Sequence, residues 1–441
     1  MRAKKYFLTL AVVYLAYFTH GMQAILLSQN NVHFAAQWGF NMSDPASEAY
    51  AAGIAAVASV IAYTGLAKFL TVWICGEISD KIGRKIMVMI GAIMYVAAFF
   101  GCLYTHSITV AKVCAFLMGA ATSFFDGSLY AAAQESWIKA PGAATILIKG
   151  FISISGMAYP ILVASLGAQG GDAWKMGIFF PAICAVVLCV IAFIAPYSYD
   201  EELKERKASG VVEKKEKGAL DADAQLAADR FKVPAPKWLV VPLALMGFIN
   251  MSTMYSAQQF LKTYGMEYCG LTEMKAASMS SLYTFGSLAA VIIWAIALAA
   301  LRWRTLKVLV IDLCGSICCY ALAVLATNTA LIMLACVGIG FFAAGGALQC
   351  GVTLIQEFHP GPKGRNLGIY YTFMGLSGYV MPLISGALTA SHGAGQGARL
   401  SLGINLIFAA VGLAFCLYLV ANYKKWFGVT AFSKKGPDDI Y

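Results

Sequence analysis

Four ionisable side chains stand deep inside long apolar stretches of this 441-residue chain: His20, Lys68, Asp126 and Lys149. A carboxyl away from water can load and release a proton in a working pH range. Asp126 therefore reads either as a proton site or as half of a permanent ion pair with Lys68 or Lys149. His20 can carry a proton or donate to a bound solute, or it can hold a structural hydrogen bond to a neighbouring helix. The two lysines offer point charges to a ligand carboxylate, although Lys149 has the alternative of reaching along its helix to the surface. Gln23, close to His20 in sequence, and Tyr371 add neutral hydrogen-bonding groups. This chemistry suits the binding of protons and small solutes. No residue set reads as an enzyme's catalytic machinery. No Gly-x-x-x-x-Gly-Lys-Ser/Thr loop for nucleotides occurs, and neither a cofactor nor a metal is implied.

The elements that hold these residues must lie in lipid. The chain is 60% hydrophobic and only 12% charged, about half the charge of ordinary globular domains, and its mean hydropathy is +0.71. Crossing about 30 Å of hydrocarbon takes roughly 20 mostly apolar residues. Twelve such runs occur, at 6–29, 51–75, 86–105, 108–136, 143–168, 174–197, 238–264, 276–300, 306–327, 329–357, 365–390 and 399–422. They lack the alternation of barrel strands, and lipid offers no partner to a free backbone amide, so each run is predicted to be a helix. A very apolar soluble bundle is the reading this displaces. Asp126 falls eleven residues before Trp137, roughly 16 Å from the end of run 4, and His20 is similarly central in run 1. Lys68 and Lys149 lie in the inner third of runs 2 and 5. Lys149, Ser153, Gly156 and Pro160 share one face of run 5, and Tyr17, His20 and Gln23 span about 120° of run 1. Lys262, near the outer end of run 7, is expected to snorkel to the surface.

Charge sets the topology. With the N-terminus inside, 25 of the 32 Lys and Arg fall on the cytoplasmic side. The positive-inside rule then puts both termini in the cytoplasm, and the net charge of +10 faces anionic lipid rather than nucleic acid. The first run is too long, and lacks the cleavage site, for a signal peptide. Of the twelve cysteines only Cys269 falls in an external loop, and Cys314, Cys318 and Cys319 have no histidine nearby, so cysteine reads as small apolar filler. Residues 198–237 mix both signs of charge with few aromatics, the composition of a linker with at most a short surface helix. It divides the twelve runs into six and six.

The halves repeat. A shift of 222 places Gln134-Glu135 on Gln356-Glu357, Phe151 on Phe373, Ser155-Gly156 on Ser377-Gly378 and Pro160 on Pro382 without a gap. A series of identities at one offset is evidence of duplication. Between runs 2 and 3 lies Gly76-Glu77-Ile78-Ser79-Asp80-Lys81-Ile82-Gly83-Arg84-Lys85-Ile86, read as a charged turn in which Gly76 and Gly83 let the backbone reverse. The same shift leaves only Lys307 of this loop in the second half, which reads as decay.

Here the chain resembles the major facilitator superfamily of secondary transporters. The loop matches that family's Gly-x-x-x-Asp-x-x-Gly-Arg-Arg/Lys pattern, and Gln356-Glu357-Phe358-His359-Pro360 with Gly364-Arg365 resembles the loop between its helices 10 and 11. The resemblance implies an all-α integral membrane protein with twelve transmembrane helices in two pseudo-symmetric six-helix bundles that alternate between inward and outward openings. The bundles would cover 1–197 and 238–422, joined by a cytoplasmic linker at 198–237 and followed by a tail at 423–441. Runs 1, 2, 4 and 5 would line a cavity, while runs 3, 6, 9 and 12 face lipid. Gly76, Asp80, Gly83, Arg84 and Lys85 would gate the cycle. Glu135, Glu357 and Arg365 would form an inner gate, with Arg84 and Lys85 as further ion-pair partners. His20, Gln23, Lys68, Asp126, Lys149 and Tyr371 would bind solute and protons. The expected activity is proton-coupled movement of a small organic solute, an anion by preference because two lysines face the cavity. A neutral sugar-like or nucleoside-like solute is the alternative. Drug efflux is weakened by Ala115, where drug antiporters of the family carry arginine ahead of Gly119, and by the separation of Gly156 from Pro160. A non-transporting sensor lacks an output domain in the short tail. The partners are then solute, protons and lipid, without nucleic acid. The protein would act as a monomer in the cell membrane.

Overall fold

The computed structural model describes residues 5–137, 141–209, 228–360 and 363–435. Among them there is no strand, and twelve helices are long and apolar enough to cross a membrane. In chain order the α-helical elements of the first half are α1 Phe7–Gln29, α2 Asn31–Gln37, α3 Glu48–Ile82, α4 Arg84–Tyr104, α5 Ile108–Asp126, α6 Leu129–Ser136, α7 Pro141–Gly167, α8 Met176–Ile194 and α9 Ser198–Ser209. The second half holds α10 Val240–Thr263, α11 Glu273–Ala299, α12 Thr305–Leu325, α13 Thr329–Ile339, α14 Ala347–Phe358, α15 Lys363–His392 and α16 Ala394–Phe427. Short π-helical turns at Tyr264–Tyr268 and Gly340–Ala344 extend α10 and α13.

Contacts divide the chain into two compact units. One is Met1–Lys215 with Pro382–Ala394, and the other is Glu216–Met381 with Gly395–Tyr441. In the first, α3 and α4 pack on α5, α1 packs on α7, and α8 on α4 and α1. The second reproduces the pairing of its repeat partners, with α11 and α12 packed on α13 and its π-helical turn. Close approach of these helices depends on missing side chains: a Cβ at Gly119 would strike the Thr64 carbonyl, and one at Gly340 the Tyr283 carbonyl. Proline lies inside α7 at Pro160 and inside α15 at Pro382, the two positions joined by the sequence repeat. Exposed apolar residues such as Phe180, Ile183, Val187 and Val190 on α8 form a surface suited to lipid rather than water.

Two features depart from the sequence reading. The segment Gly76–Ile82 is not a turn. Helix α3, capped at its start by Ser47, whose hydroxyl accepts from the Tyr50 amide, runs 35 residues to Ile82. At 1.5 Å per residue that is about 52 Å, well past the hydrocarbon thickness, so its last two turns are free to carry charge while staying helical. Gly76 sits inside the helix with open space beside it, and the reversal is made by Gly83 alone, at φ 104°. The second departure is that runs 4 and 10 are each interrupted. Run 4 breaks at Gly127–Ser128 between α5 and α6, and run 10 at Gly345–Gly346 after the π-helical turn.

Candidate functional site

Asp126 is the last residue of α5, immediately before the break in run 4. A helix interrupted in mid-membrane exposes backbone polar groups and is where transporter sites are commonly built. The Tyr17 hydroxyl on α1 donates to Asp126 Oδ1 at 2.9 Å. Lys68 on α3 stands 3.9 Å from Oδ2, and both side chains keep about a third of their surface open, 30% and 32%. The pair is thus formed but reachable, with water or a ligand able to compete for Lys68. The Tyr17 ring meets Tyr130 at 5.2 Å and His20 at 6.2 Å, edge to face.

One turn back along α5, a neutral network surrounds Thr122. His20 Nδ1 lies 3.2 Å from Gln23 Oε1 and 3.1 Å from the Tyr95 hydroxyl. Tyr95 also reaches Gln23 Oε1 at 3.3 Å and Thr122 Oγ1 at 3.0 Å. Thr122 and Asp126 are four residues apart and share a helix face, so the charged and the neutral groups form one continuous surface on α1, α3, α4 and α5. Lys149 on α7 is half-buried. Among the described residues it has no ion-pair partner.

His20, Gln23, Lys68 and Asp126 are therefore brought together, with Lys149 on α7, which packs against α1, whereas Tyr371 belongs to the second unit, where its ring lies 6.4 Å from that of Tyr370. Sequence reasoning missed Tyr95. It lies on run 3, assigned to lipid, yet it is fully buried and turned into the network. A tyrosine near the middle of an otherwise apolar run was the available signal. Lys262 also differs from expectation: it is buried and bonded to Glu273 at 2.7 Å, because an acid at the start of α11 saves it the reach to the surface.

The residues expected to gate the cycle gather at one end of the first unit. The Arg84 guanidinium, 7% exposed, holds Asp80 at 2.7 Å, the Ser79 hydroxyl at 2.7 Å and Glu135 at 3.1 Å. Lys85 lies over the Phe193 ring, with no acid paired to it among the described residues. Glu357, the repeat partner of Glu135, is buried and accepts from the Tyr423 hydroxyl at 2.5 Å and from Arg230 at 3.3 Å. The side chain of Arg365, its expected companion, lies outside the described residues. Arg304, which precedes α12 as Gly83-Arg84 opens α4, donates to Tyr423 at 3.4 Å and stacks over its ring. The second-half loop has therefore kept a basic residue at this corner. A gapless shift of 222 misses it by two positions.

Known proteins agree with this architecture. The family model of the Major Facilitator Superfamily matches residues 7–363. The chain is 28% identical over 420 residues to the inner membrane transport protein YdiM of Escherichia coli strain K12, covering 95% of each. It is 29% identical over 434 residues to YdiN of the same organism, covering 96% of this chain and 92% of that one. A solved D-xylose-proton symporter matches in fold, with a TM-score of 0.68 at 12% identity over 94% of this chain and 97% of that one. With this family match across most of its length, and twelve membrane-length helices to carry it, the chain belongs to the major facilitator superfamily and is an integral membrane transporter.

Proposed function

We propose that the protein carries a small organic anion together with a proton, and that Asp126 is the proton site. The observation behind this reading is the partly exposed Lys68–Asp126 pair, with Lys149, which has no ion-pair partner among the described residues, on α7 packed against α1. With Asp126 ionised, the three groups carry one net positive charge. Protonating Asp126 releases Lys68, and the two lysines then hold a monocarboxylate. Proton and anion together restore the starting charge, so the loaded and empty sites cross the membrane with the same electrostatic cost. His20, Gln23, Tyr95 and Thr122 would read the uncharged part of the solute. That neutral network also supports a second reading, a polyhydroxylated or nucleoside-like solute with no charge.

Under this proposal the 198–237 segment is the cytoplasmic connector of two six-helix halves. Both termini lie in the cytoplasm, as the charge bias suggests, and a monomer in the cell membrane is the working unit.

The test is a thermal-shift panel of small organic acids, sugars and nucleosides on purified protein, followed by uptake into proteoliposomes. An acid should bind. Lys149→Met should weaken it about ten- to hundredfold, the worth of one desolvated charged hydrogen bond, with a neutral analogue unaffected. Asp126→Asn should abolish accumulation driven by an inward proton gradient while exchange persists. Equal losses for acid and neutral ligands would overturn the anion reading, and gradient-driven accumulation by Asp126→Asn would overturn the proton site.

A further inference from the structure

Arg84 can hold Ser79, Asp80 and Glu135 at once only if its own backbone is fixed, and the local sequence does not fix it. Helix α4 begins at Arg84 directly after Gly83. The first amides of a helix have no partner inside it, and a glycine has no side chain to cap them. The cap comes from far along the chain. Asp200, on α9, accepts the Arg84 amide on Oδ1 at 2.6 Å and the Lys85 amide on Oδ2 at 2.9 Å. A carboxylate gripping two amides at a helix N-terminus makes charge-assisted bonds with the favourable end of the helix dipole. Gly83 is shaped to this contact as well as to the turn: a Cβ there would lie 2.5 Å from Asp200 Oδ1.

The residues on either side of Asp200 bind the same corner. The Tyr199 hydroxyl donates to the Asp80 carbonyl at 2.8 Å, and the Arg84 guanidinium lies 4.2 Å over the Tyr199 ring. Glu201 accepts from Lys5 at 2.6 Å and from the Tyr6 hydroxyl at 2.7 Å. Three consecutive residues thus reach the end of α3, the start of α4 and the approach to α1. By composition they belong to the linker; by contact they complete the loop.

We propose that Asp200 is a positioning residue of the transport cycle, which holds the Gly83–Arg84 corner so that Arg84 engages Glu135, and that Tyr199-Asp200-Glu201 is the missing third part of the gating motif. The effect is independent of which solute is carried.

The full chain in liposomes tests this with two readouts. Amide exchange over peptides spanning 82–88 reports the cap. N-ethylmaleimide labelling of native Cys75, followed by peptide mass spectrometry, reports release of the cluster, because Cys75 is buried one turn before Ser79 on α3. Asp200→Ala should speed exchange at residues 84 and 85 and labelling of Cys75 by about tenfold or more. Asp200→Asn, which keeps one acceptor oxygen, should recover part of both. Arg84→Ala should raise Cys75 labelling as far, with no further rise in the double variant, and Glu205→Ala on the exposed side of α9 should change neither readout. Should Asp200→Ala fail to fold, Asp200→Asn carries the test, and its exchange at residues 84 and 85 must still exceed that of the unaltered protein. Unchanged exchange in Asp200→Ala, or labelling effects of Asp200→Ala and Arg84→Ala that add, would overturn the proposal.

Discussion

Distance and energy should part company at Arg84, which gives a sharp test of how its cluster works. Asp80 is the nearer acid, at 2.7 Å against 3.1 Å for Glu135, but Asp80 is 62% exposed and Glu135 only 26%. Asp80 lies in the last turn of α3, on the far side of the Gly83 reversal, and an exposed pair of this kind is worth about 0.2–1 kcal/mol after solvent screening. Glu135 comes from a separate element, α6, and meets Arg84 through both Nε at 3.4 Å and Nη2 at 3.1 Å. Its partial burial reduces screening, so a coupling of about 1–2 kcal/mol is expected, below the roughly 3–5 kcal/mol cost of breaking a fully buried pair. Double-mutant cycles measure both terms. Arg84→Ala, Glu135→Ala, Asp80→Ala and the two doubles would be unfolded by SDS titration from mixed micelles, and the non-additive parts compared. The Arg84–Glu135 coupling should exceed the Arg84–Asp80 coupling at least twofold. Equal couplings, or a larger one for Asp80, would refute the argument that burial rather than distance ranks these contacts.

Two further outcomes follow from the packing and the polar network. Tyr95→Phe removes a buried hydroxyl bonded to His20, Gln23 and Thr122 and should cost about 1–3 kcal/mol in the same SDS titration; a change below about 0.5 kcal/mol would mean that water replaces the hydroxyl. Gly340→Ala drives a Cβ into the Tyr283 backbone where α11 crosses the π-helical turn, so a loss of about 1–3 kcal/mol is expected from overpacking, whereas Gly76→Ala, with open space around it, should be neutral or slightly stabilising through helix propensity.

How much of this was written in the sequence depends on which force sets each feature. The twelve spans were legible because lipid requires each one to be long and apolar, and the repeat was legible because Ser155 and Pro160 recur as Ser377 and Pro382. The structure gives that register a meaning: Ser377 bonds to Ser252 on α10, and Ser155 fills the notch beside Gly21 on α1. The break in run 4 was not legible, since Gly127-Ser128 barely alters the hydropathy of the run. Helical continuation through Gly76–Ile82 was hidden because charge was read as a sign of a loop, whereas charge only requires exposure. Tyr95 was hidden because run 3 has no ionisable group in its interior and the resemblance places it against lipid, so a tyrosine within it drew no attention. The Asp200 cap joins positions 116 residues apart, and no local pattern marks such a contact.

The position of Asp126 ties the break to the proposed chemistry. A carboxylate at the last residue of a helix meets the negative end of that helix's dipole, and within a membrane span it has fewer water partners than on a surface. Both effects oppose its charge. The Tyr17 hydroxyl and the Lys68 ammonium answer them, but incompletely, because the ammonium stands at 3.9 Å rather than at hydrogen-bonding distance. If the helix ran unbroken through Gly127, the dipole end would lie elsewhere and the pair would simply be a staple between α3 and α5. With the break in place, the pair stands at a helix end rather than inside a continuous helix, and under the proposed mechanism a proton on Asp126 or a carboxylate on Lys68 competes with it. The proposed mechanism needs a site that changes state within the transport cycle, and the interrupted span, more than the presence of an acid, is the argument for Asp126.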